Sequence, residues 1–169
     1  MFLIATILLT ALFHQTDSLI LTAPPSWKSR PAASSMRVAE FVVPRVPGDP
    51  EDGELIVYFF GRMGGSVDAN VKRWIGQFQQ RPGAPTDGNR KTFEVGNLKV
   101  TTVDVSGTYV AELRPGSSER HNKPNFRMRA AVVETPKGPY FVKFTGPANT
   151  VQAASPDFDA FIKGLRFKH

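Results

Sequence analysis

The chain of 169 residues contains no cysteine. That excludes disulfides, thiolate metal sites, a cysteine nucleophile and a lipid-modified N-terminal cysteine. It does not exclude export, since a chain of this length can bury enough surface without covalent staples. Histidine is almost as scarce. His14 lies in the N-terminal apolar segment and His169 is the last residue, so only His121 stands in the body of the chain. No GxSxG nucleophile elbow, no HExxH and no His–carboxylate cluster at ligand spacing occurs. No catalytic residue, no cofactor-binding residue and no metal ligand is therefore assigned from the sequence. Glu51, Asp52 and Glu54 form an acidic turn with too few fixed oxygens for a calcium loop. Beyond residue 13 there is no long apolar run, and a membrane-spanning helix needs ~20 such residues.

What is present begins with Phe2 to Phe13, a short apolar segment followed by polar residues and small ones at Thr16 and Ser18. It reads as a secretory signal peptide over residues 1–18, although no Lys or Arg precedes the apolar run. The expectation is a leader followed by one α+β domain over 19–169, exported to the periplasm or beyond, with no stable membrane span once the leader is removed. Hydrophobic residues make up 41% of the chain, enough for a core, and fourteen Gly with fourteen Pro call for many turns. The formal charge is +6, and loss of residues 1–18 deletes Asp17 and no base. Such a balance favours anionic partners or plain solubility.

The clearest pattern is Glu54 to Phe78, ELIVYFFGRMGGSVDANVKRWIGQF. Leu55 to Phe60 is apolar on both faces, as a central strand covered on two sides would be. Ser66 then caps a helix with Asp68 in its positive first turn. Val67, Val71, Trp74 and Phe78 fall on one stripe facing a core. Before this unit, Leu19 to Thr22 reads as a short strand stopped by Pro24 and Pro25, and Arg37 to Val43 as a half-buried strand with one irregularity. Trp27, in the Ser- and Pro-rich loop between them, is expected at the edge of the core. After it, Thr92 to Val95 and Lys99 to Val105 flank a Gly96-Asn97 hairpin turn. Gly107 to Asn125 is long, polar and without a clear element. Phe126 to Val133 and Tyr140 to Thr145 form a last hairpin. Phe158, Phe161, Ile162 and Leu165 suit a C-terminal helix entered at Pro156-Asp157 and ended near Gly164. The fold class is α+β, a mainly antiparallel sheet with helices packed on it.

Two stretches are candidate contact surfaces. The corner Gly61-Arg62-Met63-Gly64-Gly65-Ser66 joins strand to helix, the context in which backbone N–H groups hold a phosphate. It lacks the lysine that a P-loop places before its hydroxyl residue, so a tight glycine turn competes with an anion site built from Arg62, Gly64, Gly65 and Ser66. The segment RPGSSERHNKPNFRMR, residues 114–129, is the densest in positive charge, with Arg114, Arg120, Lys123, Arg127 and Arg129 around His121. It reads as a loop able to dock on an acidic partner or anionic surface, in competition with a solvated insertion. Asp104 interrupts a run of Val and Thr. It is expected to point outward, or, if inward, to meet Arg73 or Lys99. Asn70 is the other polar residue singled out.

VTTVDVSGTYV, RMRAAVVETPKGPYFVKFTGPANTV and DFDAFIKGLRF together resemble the PsbP-like proteins, a strand ending in Gly-Thr-Tyr, a hairpin ending in Phe-Thr-Gly-Pro and a final Phe-containing helix. The Gly-Gly-Ser…Asn…Arg-Trp-Ile…Gln-Phe stretch is similar to exported bacterial proteins of the same layout. The resemblance spans roughly residues 19–167 and implies an αβα sandwich around an antiparallel sheet. It also implies a non-catalytic binding or assembly role, and it transfers no functional residue. The expected function is an exported envelope module that contacts a protein or anionic component. The alternatives are a hydrolase using His121, or a phosphate- or anion-binding domain at Gly61–Ser66. Nucleic-acid binding through net charge ranks last, because export removes the ligand.

Overall fold

The protein is described here from a computed structural model over residues 18–168. The expected leader, apart from Ser18, and the terminal His169 lie outside the described residues.

Among the described residues ten strands and three α-helices follow in the order β1 (Ser18–Ile20), β2 (Lys28–Arg30), β3 (Arg37–Val43), β4 (Gly53–Phe59), α1 (Val67–Ile75), β5 (Phe78–Gln79), β6 (Lys91–Val95), β7 (Leu98–Tyr109), β8 (Lys123–Glu134), β9 (Tyr140–Pro147), α2 (Ala148–Ala153), α3 (Ser155–Lys163) and β10 (Arg166–Lys168). The main sheet runs β2-β3-β4-β9-β8-β7-β5, with β6 also paired to β7, and its pairings are antiparallel. β4 sits between β3 and β9. That place explains its apolar run, for Leu55 and Val57 point into one core and Ile56 is buried on the opposite face.

Two cores flank the sheet. Leu55, Val57, Ala131, Val142 and Phe144 meet Phe158, Phe161 and Ile162 of α3 and Trp27, which contacts Phe41, Phe144 and Phe161. On the other face Val103, Val105, Ala130, Val132 and Phe141 meet Val71 and Trp74 of α1. Period-2 alternation along β8 and β9 sends successive residues to the two cores, so helices cover both faces and the layers are α, β, α.

Several elements match the sequence reading, and the departures have physical causes. Ser66 caps α1, its Oγ accepting from the Ala69 amide at 3.1 Å. The helix stops at Ile75, and Phe78 is buried from β5 instead of from the helix stripe. The β6–β7 hairpin turns at Gly96, with φ of 61°. β3 carries its expected irregularity between Arg37 and Ala39. The segment 107–125 is shorter as a loop than expected, because β7 runs on to Tyr109 and β8 begins at Lys123. β2, α2 and β10 have no strong pattern of their own. β10 exists because it pairs with β1, Leu19 opposite Phe167.

Glu40 is a larger departure. It stands among apolar residues of β3 and is 2% exposed. Its carboxylate accepts from the Ala33 amide at 2.7 Å, Arg30 Nε at 2.9 Å and Arg37 Nη1 at 2.9 Å. Burial by itself would raise its pKa. The Ala33 amide and the two guanidiniums more than reverse that and hold it at about 2.

Candidate functional site

The glycine corner is spent on holding the fold. Gly61 to Met63 make one turn of 3-10 helix, and Gly61 and Gly65 adopt φ of 58° and 79°, the left-handed region. Gly64 has ordinary φ but lies under Phe141, so an added Cβ would stand 2.6 Å from the ring. Asn70, buried, donates to the carbonyls of Gly64 and Ser66 at 2.8 and 2.9 Å and accepts from Arg73 at 2.7 Å. Ser66 closes the helix end and Asp68 puts a carboxylate beside it, paired to Arg90 at 2.6 Å. These groups give the first turn its own oxygen acceptors, and Arg90 balances the Asp68 carboxylate there. Arg62 and Met63 are exposed on the outer side.

The basic segment divides into two. Arg114 and Arg120 lie in the connection 110–122, which folds back on itself as a small hairpin. His121 N donates to Ala111 O at 2.9 Å, Leu113 N to Glu119 O at 3.0 Å, and Glu112 bridges to Arg120. Arg114 is exposed, and Arg120 stands 3.5 Å from the Glu112 carboxylate. Lys123 opens β8, pairs with Glu51 at 2.6 Å and lies over the Phe126 ring.

Arg127 and Arg129 are not loop residues. They are strand residues of β8 on the face that carries α3. Arg127 holds Asp104 through two hydrogen bonds and also reaches Gln152. Arg129 lies over the Phe158 ring at 4.8 Å and bonds Asp159 at 2.8 Å and the Ser155 carbonyl at 3.1 Å. These cations fasten α2 and α3 to the sheet. The expected outward Asp104 is corrected accordingly: it is half-buried, and its partners are Arg127 and Arg129, not Arg73 or Lys99. Alternation along β7 and β8 brings the three side chains to one face, a coincidence of register that local sequence does not show.

The two candidate surfaces lie at opposite ends of the sheet. The corner packs on the β8–β9 turn through Gly138 and Pro139, whereas the basic connection joins β8 at Lys123. The strand between them has twelve residues, about 35 Å of chain. They therefore form two surfaces and not one.

At the basic end two open depressions of about 390 and 660 Å³ adjoin. Both are lined by Arg81, Pro124, Asn125, Phe126 and Ala148. Lys123 and Asn122 extend the larger one, and Gln80 and Ser106 the smaller. Asn125 stands at φ of 55°, a strained region that Asn tolerates better than most residues. Phe126 forms an apolar floor beneath a polar wall of mixed charge, where Arg81 and Lys123 stand with Asp49 and Glu51. No sequence signal marked Arg81, which lies 42 residues before Lys123.

His121 stacks on Tyr109, ring centroids 5.3 Å apart, on the α1 side of the sheet. Asp104 faces α3, so the two cannot share a proton. Burial lowers the His121 pKa, and Lys123 lowers it further. Beside Tyr109 lies Lys143 of β9, which the sequence reading passed over. Its ammonium donates to Gln77 Oε1 at 2.6 Å and Tyr109 OH at 3.4 Å. Burial, with a contribution from Arg73, holds Lys143 down to about 8, and burial pushes Tyr109 up to about 12. A lysine in mid-strand ordinarily signals a solvent face, and only the crossing of Tyr109 and Gln77 above it closes that face. Among the described residues no group of three or more His, Asp or Glu is placed to hold a metal ion.

No protein-family model matches the chain, and no curated protein matches its sequence. Solved structures do share its architecture. The solution structure of cyanobacterial PsbP (CyanoP) from Synechocystis sp. PCC 6803 superposes with a TM-score of 0.52 at 12% identity, covering 95% of this chain and 99% of that chain. The crystal structure of PA94 from Pseudomonas aeruginosa, a candidate regulator of unknown function, gives 0.52 at 12% identity over 85% of this chain and 98% of that chain. At such identity the likeness is one of fold, and the fold is PsbP-like, as the resemblance in the sequence implied.

Proposed function

We propose that the protein is an exported, non-catalytic binding or assembly module of the bacterial cell envelope, contacting a protein or anionic partner through the basic end of its sheet. The observation that carries this reading is the polar groove around Pro124-Asn125-Phe126. Arg81 and Lys123 stand on its wall, and the connection bearing Arg114 leads directly into it. An open groove with an apolar floor suits an extended segment of a partner better than a small substrate, which needs enclosure from water. Lys123 is held by Glu51, whereas Arg81 pairs with no carboxylate among the described residues and is the cation on the rim left for an acidic group of that segment. The connection 110–122 keeps its shape through its own backbone bonds, so little ordering cost falls on binding. The apolar N-terminal segment supports export, and among the described residues no helix is long and apolar enough to cross a membrane.

The test is site-specific photo-crosslinking from position 125 in the native envelope. A discrete adduct is expected, lost in an Arg81→Glu/Lys123→Glu variant and kept in a Met63→Glu variant at the opposite end. An adduct indifferent to the groove charges, or none at all from position 125, would remove the groove from the hypothesis.

A further inference from the structure

On the α1 side of the sheet, separated from the groove floor at Phe126 by the ring of Tyr109, the side chain of Lys143 sits in an unusual setting. Its hydrogen bonds go to neutral oxygens, Gln77 Oε1 and Tyr109 OH, and its Nζ lies 5.5 Å from the centre of the Tyr109 ring. Among the described residues no carboxylate pairs with it. Lys143 is half-buried; a cation shielded from water is normally paired, and one held only by neutral acceptors leaves its desolvation uncompensated.

Thr145 adds an independent observation. It is two residues on along β9, so it faces the same way as Lys143. Its hydroxyl oxygen is buried and makes no hydrogen bond. Buried hydroxyls are nearly always satisfied, and each exception asks for a missing partner. The donors around this point match one kind of partner. Lys143 has a spare N–H, Tyr109 OH accepts from Lys143 and keeps its own proton to give, Gln77 has an amide NH₂, and Thr145 has a hydroxyl proton.

The surrounding charges also favour an anion. Arg73 of α1 acts on Lys143 as a like charge, and His121, stacked on Tyr109, has Lys123 beside it. Two carboxylates are near. Glu51 is held by Lys123, and Glu54, opposite Thr145 on β4, pairs with Arg30 of β2, across β3 and away from Lys143. Neither neutralises Lys143.

We propose that Lys143, Thr145, Tyr109 and Gln77 form a binding site for a carboxylate group on the α1 face of the sheet. One oxygen is received by Lys143 and Tyr109 and the other by Thr145, with the Gln77 amide at the side. Binding gives Lys143 the counter-charge it lacks and Thr145 the acceptor it lacks. The site stands whether or not the groove at the end of the sheet binds a partner.

The experiment is a titration of the full chain, followed by NMR at Gln77, Tyr109 and Thr145. The probes are sodium acetate against sodium chloride at fixed ionic strength and, separately, a blocked peptide rich in glutamate. Saturable shifts at all three residues are expected. Saturation by acetate identifies a small free carboxylate as sufficient, whereas saturation by the peptide alone identifies an acidic side chain of a partner. Lys143→Met keeps the stem and removes the charge, and should weaken binding tenfold or more, about the value of a hydrogen bond to a charged group. Thr145→Val removes only the hydroxyl, leaves the fold intact and should weaken binding by a smaller factor. Shifts that rise linearly with both probes, or that persist unchanged in the two variants, overturn the proposal.

Discussion

Arg127 and Asp104 are joined across β7 and β8 by two hydrogen bonds, Nε to Oδ1 at 2.7 Å and Nη2 to Oδ2 at 2.5 Å. Both side chains are largely shielded from water, and the carboxylate lies close to Arg129 as well. The fork lies within the sheet and orients Arg127 towards Gln152 of α2, while Arg129 beside it bonds α3. Asp104→Ala should therefore cost about 1–3 kcal/mol, since it leaves two shielded guanidiniums short of a counter-charge. The midpoint of urea unfolding measures it. Arg120→Ala, which removes an exposed pair, should stay within about 0.5 kcal/mol.

Glu40 links stability to acid. Its folded pKa of about 2 lies below the ordinary 4.5. The folded state therefore holds the charged form more strongly than the unfolded chain does. That stability is complete above about pH 4.5 and is lost as pH falls towards 2. Glu40→Gln should flatten the pH dependence of unfolding in that window, by on the order of 2 kcal/mol between its ends. A variant whose acid profile matches the wild type would show that other carboxylates govern acid unfolding.

Lys143 has the opposite sign of effect. Its folded pKa of about 8 lies below the ordinary 10.5, so the unfolded chain binds its proton more strongly. Stability should rise as pH climbs from about 8 towards 10.5 and be lowest where Lys143 is charged in both states. Lys143→Met should be at least as stable as the wild type at pH 7 and should lose this rise. Paired chemical unfolding curves at pH 7 and pH 10 give the comparison.

Gly64 tests whether the corner is a packing device. It has ordinary φ, so backbone strain is not the issue, but a Cβ would meet Phe141 at 2.6 Å. Gly64→Ala should destabilise by about 1–3 kcal/mol, the usual penalty of overpacking a fixed ring. Gly116→Ala in the basic connection has open space but φ of 77°, and should cost only about 1 kcal/mol. Equal losses for the two would argue against the corner's close approach to Phe141.

The sequence by itself settled what depends on neighbours along the chain. Periodicity showed β4 as apolar on both faces, Ser66 as the cap of α1, Gly96-Asn97 as a turn and Phe158, Phe161 and Ile162 as one face of a helix, because each local pattern is a short-range consequence of side-chain direction and backbone preference. Leu165, by contrast, is buried from beyond the Gly164 cap. Periodicity also called for cover on both faces of β4, since two-sided burial of a strand requires it, while the αβα layering was implied by the PsbP-like resemblance. The tertiary structure decided which charges are used inside and which remain for a partner. Arg114 and Arg127 look alike in the sequence, yet one is exposed and the other is held by Asp104. Lys143 and Lys137 belong to the same hairpin, yet only Lys143 lies beneath Tyr109 and Gln77. β10 acquires its structure from β1, more than 140 residues away. Register and crossing elements set the distance between charges remote in sequence, and electrostatic energy depends on that distance and on the exclusion of water, neither of which composition or spacing encodes.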